Sequence, residues 1–273
     1  MTGREIAASA RERLRAAGIE DARFEAEYLV RNLGQLSRSA YFAGASPPDE
    51  RLDTIESGVA RRVLREPAAY VTGEREFRGL VFSVGPAVLV PRPETEMLVE
   101  IATEGAAILG PRAVIVDVGT GSGAVAVSLA VELPLARVVA TDVSPAALAF
   151  ARLNRDRYEA RLSLLRGDLL SAVRHANIVL ANLPYIPTGE IDALEPEVSR
   201  WEPRVALDGG HDGFVLIRRL VEDCAERLRP ALLALEVGFG QAAAVRKICM
   251  TAGARVETRV DLAGIERIVL ARW

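Results

Sequence analysis

The sequence has little that could bind metal or cross-link the chain. It contains two cysteines, Cys224 and Cys249, and two histidines, His175 and His211. That excludes a disulfide scaffold and a four-ligand zinc site, makes a histidine-rich centre a poor candidate, and leaves no metal site to expect. Aromatic residues are 5% of the chain, which counts against an aromatic platform for an extruded nucleic-acid base. No charge sign dominates: 34 basic residues against 37 acidic ones give a net charge of −3, so no stable nucleic-acid binding by charge alone is expected. No uninterrupted apolar stretch of about 18 residues appears, so no transmembrane helix and no membrane partner are expected. The first residues, MTGREIAASARERLR, lack the apolar core of a signal peptide. A cytoplasmic protein with reduced thiols is the expectation. There is no internal repeat and no low-complexity tract. What is present is 273 residues, half of them hydrophobic, enough for one large domain or two unequal ones with a substantial core.

The first 70 or so residues read as helices. Asp21 is a candidate N-cap, with Phe24, Tyr28 and Leu29 on one face of the following segment. Leu52, Ile55, Val59 and Val63 recur at helical spacing and predict an amphipathic helix ending near Pro67. Arg51, Arg61, Arg62 and Arg65 fill the rest of that segment, as a solvated face or an extra binding surface. From Glu74 the pattern changes. Phe77, Leu80, Phe82, Val84 and Val88-Leu89-Val90, punctuated by Gly79 and Gly85-Pro86, predict a β-hairpin. The expected division is a helical domain at 1–72, a hairpin linker at 73–93 and a third segment at 94–273. Beyond Gly110, strand and helix alternate, which implies an α/β fold with a mostly parallel sheet. Such sheets bind ligands beyond the carboxyl ends of their strands.

Three stretches carry chemistry. Gly119-Thr120-Gly121-Ser122-Gly123 lies between a predicted strand, 113–118, and a predicted helix, 124–132. Glycines permit a tight turn and close approach of a ligand to the backbone. Asp142 ends the next strand, where a carboxylate accepts hydrogen bonds from ribose hydroxyls. Together they read as a site for a nucleoside-containing cofactor, and a dinucleotide fits the same spacing. A tight turn with an unrelated acid is the alternative. Asp168, past a third strand, is either an adenine contact or an exposed turn residue. Asn182-Leu183-Pro184-Tyr185 follows the apolar strand Ile178–Ala181. Asparagine offers a carbonyl acceptor without charge, proline stiffens the chain and tyrosine offers a flat face. That set suits capture of a planar NH2 group, and as a bare tetrapeptide it equally suits a strand-ending turn. In the order glycine loop, Asp142, Asn182, it favours a methyltransferase acting on an amino or amide nitrogen.

The chain resembles the peptide-chain release factor glutamine methyltransferases. The resemblance is carried by Tyr70-Val-Thr-Gly-Glu-Arg-Glu-Phe77, Pro91-Arg-Pro-Glu-Thr-Glu96, Asp117-Val-Gly-Thr-Gly-Ser-Gly123, Glu202-Pro-Arg-Val-Ala-Leu-Asp-Gly-Gly210, Leu235-Glu-Val-Gly238 and Asp261-Leu-Ala-Gly264, in that order over nearly the whole chain. It implies a Rossmann-like, seven-stranded class I methyltransferase sheet behind a small helical domain that docks the release factor. It also implies S-adenosylmethionine as cofactor and, as substrate, the glutamine of a Gly-Gly-Gln loop. By position, Gly119, Thr120, Gly121, Ser122, Gly123, Asp142, Asp168, Leu169 and Asn182 would bind the cofactor. Asn182, Leu183, Pro184 and Tyr185 would clamp the glutamine amide. One departure is Leu183, where the family usually has proline. The Asn-Leu-Pro-Tyr spelling also resembles ribosomal RNA adenine dimethyltransferases, so an adenine-amino methyltransferase acting on RNA or DNA is the rival enzyme. A non-catalytic translation-factor binder that retains the cofactor fold is the rival of another class.

Overall fold

The computed structural model describes residues 1–273. The chain divides into two compact units, 1–74 with 194–201, and 75–193 with 202–273.

The first unit is helical. It holds α1 (Gly3–Ala16), α2 (Ala22–Leu33), α3 (Arg38–Phe42), α4 (Leu52–Val63) and α5 (Ala68–Thr72). Thr2 caps α1 reciprocally: its hydroxyl accepts from Glu5 N–H, and the Glu5 carboxylate accepts from Thr2 N–H. The core is small-residue and aliphatic: Ala7, Ala10, Leu14, Ala22, Ala26, Leu29, Val30, Ile55 and Val59. Asp21 does precede α2 but makes no side-chain cap bond. The buried stripe of α2 runs Ala22, Ala26, Leu29 and Val30. Phe24 is 69% exposed and stacks on Tyr28 outside the core. Alanines bury the face because Gly58 lets α4 come close: a Cβ there would meet Leu33 Cδ1 at 2.2 Å.

The second unit begins with the hairpin β1 (Glu74–Phe77) and β2 (Leu80–Ser83). Arg78 and Gly79 both have positive φ, the pattern of a tight two-residue turn. The hairpin is shorter than the apolar pattern predicts. Val88–Val90 lies outside it because its backbone is engaged elsewhere: Val88 N–H bonds Gly85 O and Val90 N–H bonds the Glu202 carboxylate. Then come α6 (Glu96–Leu109), β3 (Val114–Val118), α7 (Ala124–Glu132), β4 (Arg137–Asp142), α8 (Pro145–Arg157), β5 (Leu162–Arg166) and β6 (Ile178–Ala181). Ser144 caps α8 and Pro145 opens it.

Residues 194–201, with the short helix α9 (Pro196–Ser199), return to the first unit. The chain ends with α10 (Val215–Asp223), β7 (Leu232–Glu236), α11 (Ala242–Thr251), β8 (Arg255–Val260) and β9 (Glu266–Arg272). The α-helix α10 is regular only to Asp223, and Cys224–Leu228 widens into a π-turn. The seven strands are ordered β5-β4-β3-β6-β7-β9-β8. β3 to β7 are parallel and β9 runs antiparallel to β7 and β8. The strand order reverses between β3 and β6, and a doubly wound sheet opens its ligand crevice at that switch.

Of the four arginines in and beside α4, three are not a free surface. Arg62 is 4% exposed and pairs with Glu25 and Glu197. Arg65 makes a two-pronged bond to Glu197, with both contacts at 2.7 Å, and Arg61 pairs with Glu66. Three of the four therefore hold the helical unit together and tie residues 194–201 to it. Removing a buried charge strands its partners. Arg62→Ala should cost about 3 kcal/mol of stability, read by denaturant unfolding. A loss near zero would contradict the role given to the cluster.

Candidate functional site

A cavity of about 660 Å³ opens at the carboxyl edge of the sheet, at the β3/β6 switch. Its wall is built from the loops that follow four neighbouring strands. Gly119–Ser122 follows β3, Asp142–Ser144 follows β4, Gly167–Leu169 follows β5 and Asn182–Pro184 follows β6. Residues 87–89, Pro91, Arg92 and Thr95 contribute from the chain before α6.

The glycine loop is a rigid wall whose amides largely bond within the protein. Gly119 and Thr120 N–H both bond Thr141 O, and Gly121 N–H donates to Asp142 Oδ2 at 2.9 Å. Gly119, Gly121 and Gly123 all have positive φ, the conformation that disfavours a side chain. Gly123 lies behind the wall, where a Cβ would press on Ala151 at 3.2 Å. Asn154, fully buried on α8, donates to Ser122 O and Ser83 O and so ties the loop to β2. It carried no sequence signal beyond being polar on a helix.

Two carboxylates border this wall. Asp142 accepts from Gly121 and Ser144 N–H, and burial pushes its carboxyl above the usual range. Asp117, in the quoted glycine motif but absent from the expected site, is buried at the end of β3 and accepts from the Thr120 hydroxyl at 2.6 Å. Burial, with the nearby Asp142 charge, pushes Asp117 up to about 6 against the Thr120 bond. Such a floor repels a pyrophosphate and attracts a cation. The Asp117 carboxylate under the loop, with the Gly119, Thr120 and Gly121 amides bonded within the protein, disfavours a pyrophosphate on the loop and suits a cationic cofactor.

The remaining expected residues divide. Leu169 lines the cavity, is buried, adopts a positive φ and accepts the Thr141 hydroxyl at its carbonyl. Asp168 also borders the cavity, but its carboxylate is half exposed and pairs with Arg219 at 2.6 Å, so its side chain serves the rim. Asn182 faces the cavity, and its Nδ2 donates to Thr95 Oγ1 at 3.1 Å. The Leu183 side chain is buried, with Cδ2 3.3 Å from where a Gly119 Cβ would be.

Tyr185 is not among the lining residues. Its ring lies against Gly238, where a Cβ would meet it at 3.1 Å, and Gln241 holds its carbonyl at 2.8 Å. The flat face expected to pack on a captured NH2 group is thus turned to the core. The tetrapeptide pattern could not show that Gly238 leaves room for the ring there.

Several contributors were missed. Glu202 is buried and binds Arg92 at 2.7 Å and Val90 N–H, fixing the segment before α6. The block 202–210 runs beside the chain that follows β6: Ile186 N–H bonds Leu207 O and Gly209 N–H bonds Ile186 O. That places Arg204, Val205, Ala206 and Asp208 on the cavity wall. No cluster of histidine, cysteine or carboxylate side chains is placed to hold a metal ion, and no helix is long and apolar enough to cross a membrane.

Comparison with known proteins agrees with this geometry. A family model described as the PrmC N-terminal domain matches residues 5–73, and one described as the methyltransferase small domain matches 94–194. The chain is 43% identical to a release factor glutamine methyltransferase of Moorella thermoacetica over 99% of this chain and 98% of that one. The chain belongs to the release factor glutamine methyltransferase family. A second relative of that name, from Geobacter sulfurreducens, is 41% identical over 93% of this chain and 91% of its own length. Among solved structures, the fold resembles a methyltransferase from Pyrococcus furiosus (TM-score 0.50, 17% identity, covering 82% of this chain and 98% of that one). It also resembles the human methyltransferase 10 domain containing protein (TM-score 0.53, 14% identity, 71% and 88%). The seven-stranded methyltransferase fold expected from the sequence is the fold observed.

Two expectations follow from the site. Leu183→Ala should lose about 2 to 5 kcal/mol of stability, the usual range for truncating a buried leucine. A loss under about 1 kcal/mol in thermal or denaturant unfolding would deny its side chain a packing role. The second concerns pH. Because Asp117 is raised in the fold from 3.8 to about 6, its contribution is complete below the unfolded value. It is lost as the pH rises through the folded value, where the buried group must ionise. The ligand-free protein should therefore lose stability relative to Asp117→Asn between about pH 4 and pH 6. Parallel stability curves for the two proteins would contradict the burial assigned to Asp117.

Proposed function

We propose that this chain transfers a methyl group from S-adenosylmethionine to the side-chain amide nitrogen of the glutamine in the Gly-Gly-Gln motif of peptide-chain release factors. The observation that carries the reading is the position of Asn182. An uncharged carbonyl acceptor at the end of β6 borders the same cavity as the glycine wall and Asp142. The names of the relatives support the substrate class.

The lining fits the cofactor. Asp142 would accept from ribose hydroxyls, Leu169 and the backbone at Asp168 would border the adenine, and the Gly119–Ser122 wall would pack against the nucleoside. Asp117 and Asp142 favour a cation nearby. When bound, S-adenosylmethionine supplies an electrophilic methyl group on a sulfonium, which carries the hard chemistry.

The chain's own task is alignment. The Asn182 carbonyl and the backbone carbonyl of Leu183 would accept the two hydrogens of the glutamine amide, and Pro184 stiffens the segment between them and Tyr185. Holding the nitrogen at bonding approach replaces a bimolecular encounter with an oriented one. Acceptors on both hydrogens also favour the positive charge that develops on nitrogen as it is alkylated. The released proton goes to water.

The helical unit, expected at residues 1–72, is assigned here to docking the release factor, through surfaces other than the internally paired α4 arginines. A release factor substrate places the enzyme in the cytoplasm.

The test offers methyl-labelled cofactor with intact release factor and, in parallel, adenine-bearing RNA. Label in the Gly-Gly-Gln peptide supports the reading. Label only in RNA would establish the adenine rival, and label in neither would favour a non-catalytic binder. Asn182→Ala should keep its fold and lose on the order of 10²–10³ in turnover. Turnover near the wild-type rate in the folded variant would remove Asn182 from the clamp.

A further inference from the structure

Glu236 ends β7 at the cavity edge of the sheet, and it is 4% exposed. It has no ion-pair partner: the nearby cations are engaged elsewhere, Arg92 with Glu202 and Arg267 with Asp261. Its Oε2 is buried without a hydrogen-bond partner. A buried carboxylate without a cation is costly, so its presence calls for an explanation. The hydroxyl that approaches it is that of Thr95, itself 7% exposed, and Thr95 Oγ1 accepts from Asn182 Nδ2 at 3.1 Å.

We propose that Glu236 is a positioning residue that acts through Thr95 to set which end of the Asn182 amide faces the cavity. This rests on the reading that the Asn182 carbonyl captures the substrate amide. A hydroxyl has one hydrogen to give. When Thr95 donates it to the Glu236 carboxylate, only lone pairs remain for its other neighbour. Asn182 must then present its NH2 to Thr95 and its carbonyl to the cavity. If the carboxyl is protonated, it can donate to Thr95 Oγ1, which frees the Thr95 hydrogen for Asn182. The amide is then free to flip, and an NH2 group in the cavity would oppose the NH2 of the substrate, donor against donor.

The groups that face Glu236 are Thr95, Glu94 and Arg92 from the chain before α6, Arg267 on β9, and Tyr185 after β6. β6 itself, its neighbour in the sheet, carries no ionisable side chain. Burial is the largest influence and, with the Glu94 charge, pushes the Glu236 carboxyl up to about 7, against the Thr95 bond and the two arginines. The polarity of Asn182 is therefore set by a group that titrates near neutral pH. Turnover should rise as the pH increases through about 7 and then level.

The test measures kcat and KM on release factor from pH 6 to 9 for the wild type, Glu236→Gln, Thr95→Val and Thr95→Ser, with cofactor affinity by calorimetry as the check on folding. Thr95→Val and Glu236→Gln should each lower plateau kcat by about 10-fold to 10²-fold, lose the step near pH 7 and leave cofactor affinity within about two-fold. Thr95→Ser, which keeps the hydroxyl, should restore both rate and step. Should Glu236→Gln fail to fold, the Thr95 pair decides alone. If Thr95→Val keeps the wild-type step and rate, or Thr95→Ser restores neither, the relay is wrong. If Asn182→Ala is inactive while Thr95→Val behaves as wild type, the relay fails and the clamp stands. If Asn182→Ala is fully active, the clamp itself fails.

Discussion

The hydrogen bond from Asn182 to Thr95 joins the end of β6 to the start of α6, and the site depends on it. Without that bond, the amide at the mouth of the switch crevice has no fixed orientation, and an asparagine can present either a donor or an acceptor. The surroundings of the bond follow from the sheet. β6 is buried along its length between β3 and β7, so its end is held in register with the glycine loop on one side and Glu236 on the other. The cavity brings a wall built for a cation and a neutral acceptor into one space, a combination suited to alkylating an amide nitrogen.

Charge is used in two different ways in this chain. In the helical unit, Arg62 and Arg65 bring Glu25 and Glu197 together, so buried charge is matched by opposite charge. At the site, Asp117 and Glu236 are buried with no cation paired to either. Burial raises both, and each has a threonine hydroxyl as its close side-chain support. Unpaired buried carboxylates reduce the stability of the ligand-free fold as they ionise. Residues that lower stability in this way concentrate where binding and catalysis need them.

Much of this was legible in the sequence, and the limits have physical causes. The alternation of strand and helix, the glycine loop and the end of β4 at Asp142 depend on local pattern, and the structure brings them together as the pattern implies. The order of motifs identified the family. Three kinds of feature were not legible. Leu183 and Tyr185 each have a side chain whose direction is set by a distant glycine, Gly119 and Gly238 respectively. Arg62 and Arg65 look like part of a solvated face because Glu197, their partner, lies more than a hundred positions away. Thr95 and Glu236 sat inside quoted family blocks, but only the sheet places them beside Asn182. Periodicity reports which face of an element is buried and says nothing about which buried polar groups meet.

The central claim is that the Asn182 amide is held in one orientation by an acceptor at Thr95. Side-chain amide resonances, resolved by isotope-edited NMR of the full-length protein, report this directly. The account predicts that one Asn182 NH2 proton exchanges slowly in the wild type and in Thr95→Ser, and loses its protection in Thr95→Val. An Asn182 NH2 group that exchanges equally fast in all three proteins would contradict it.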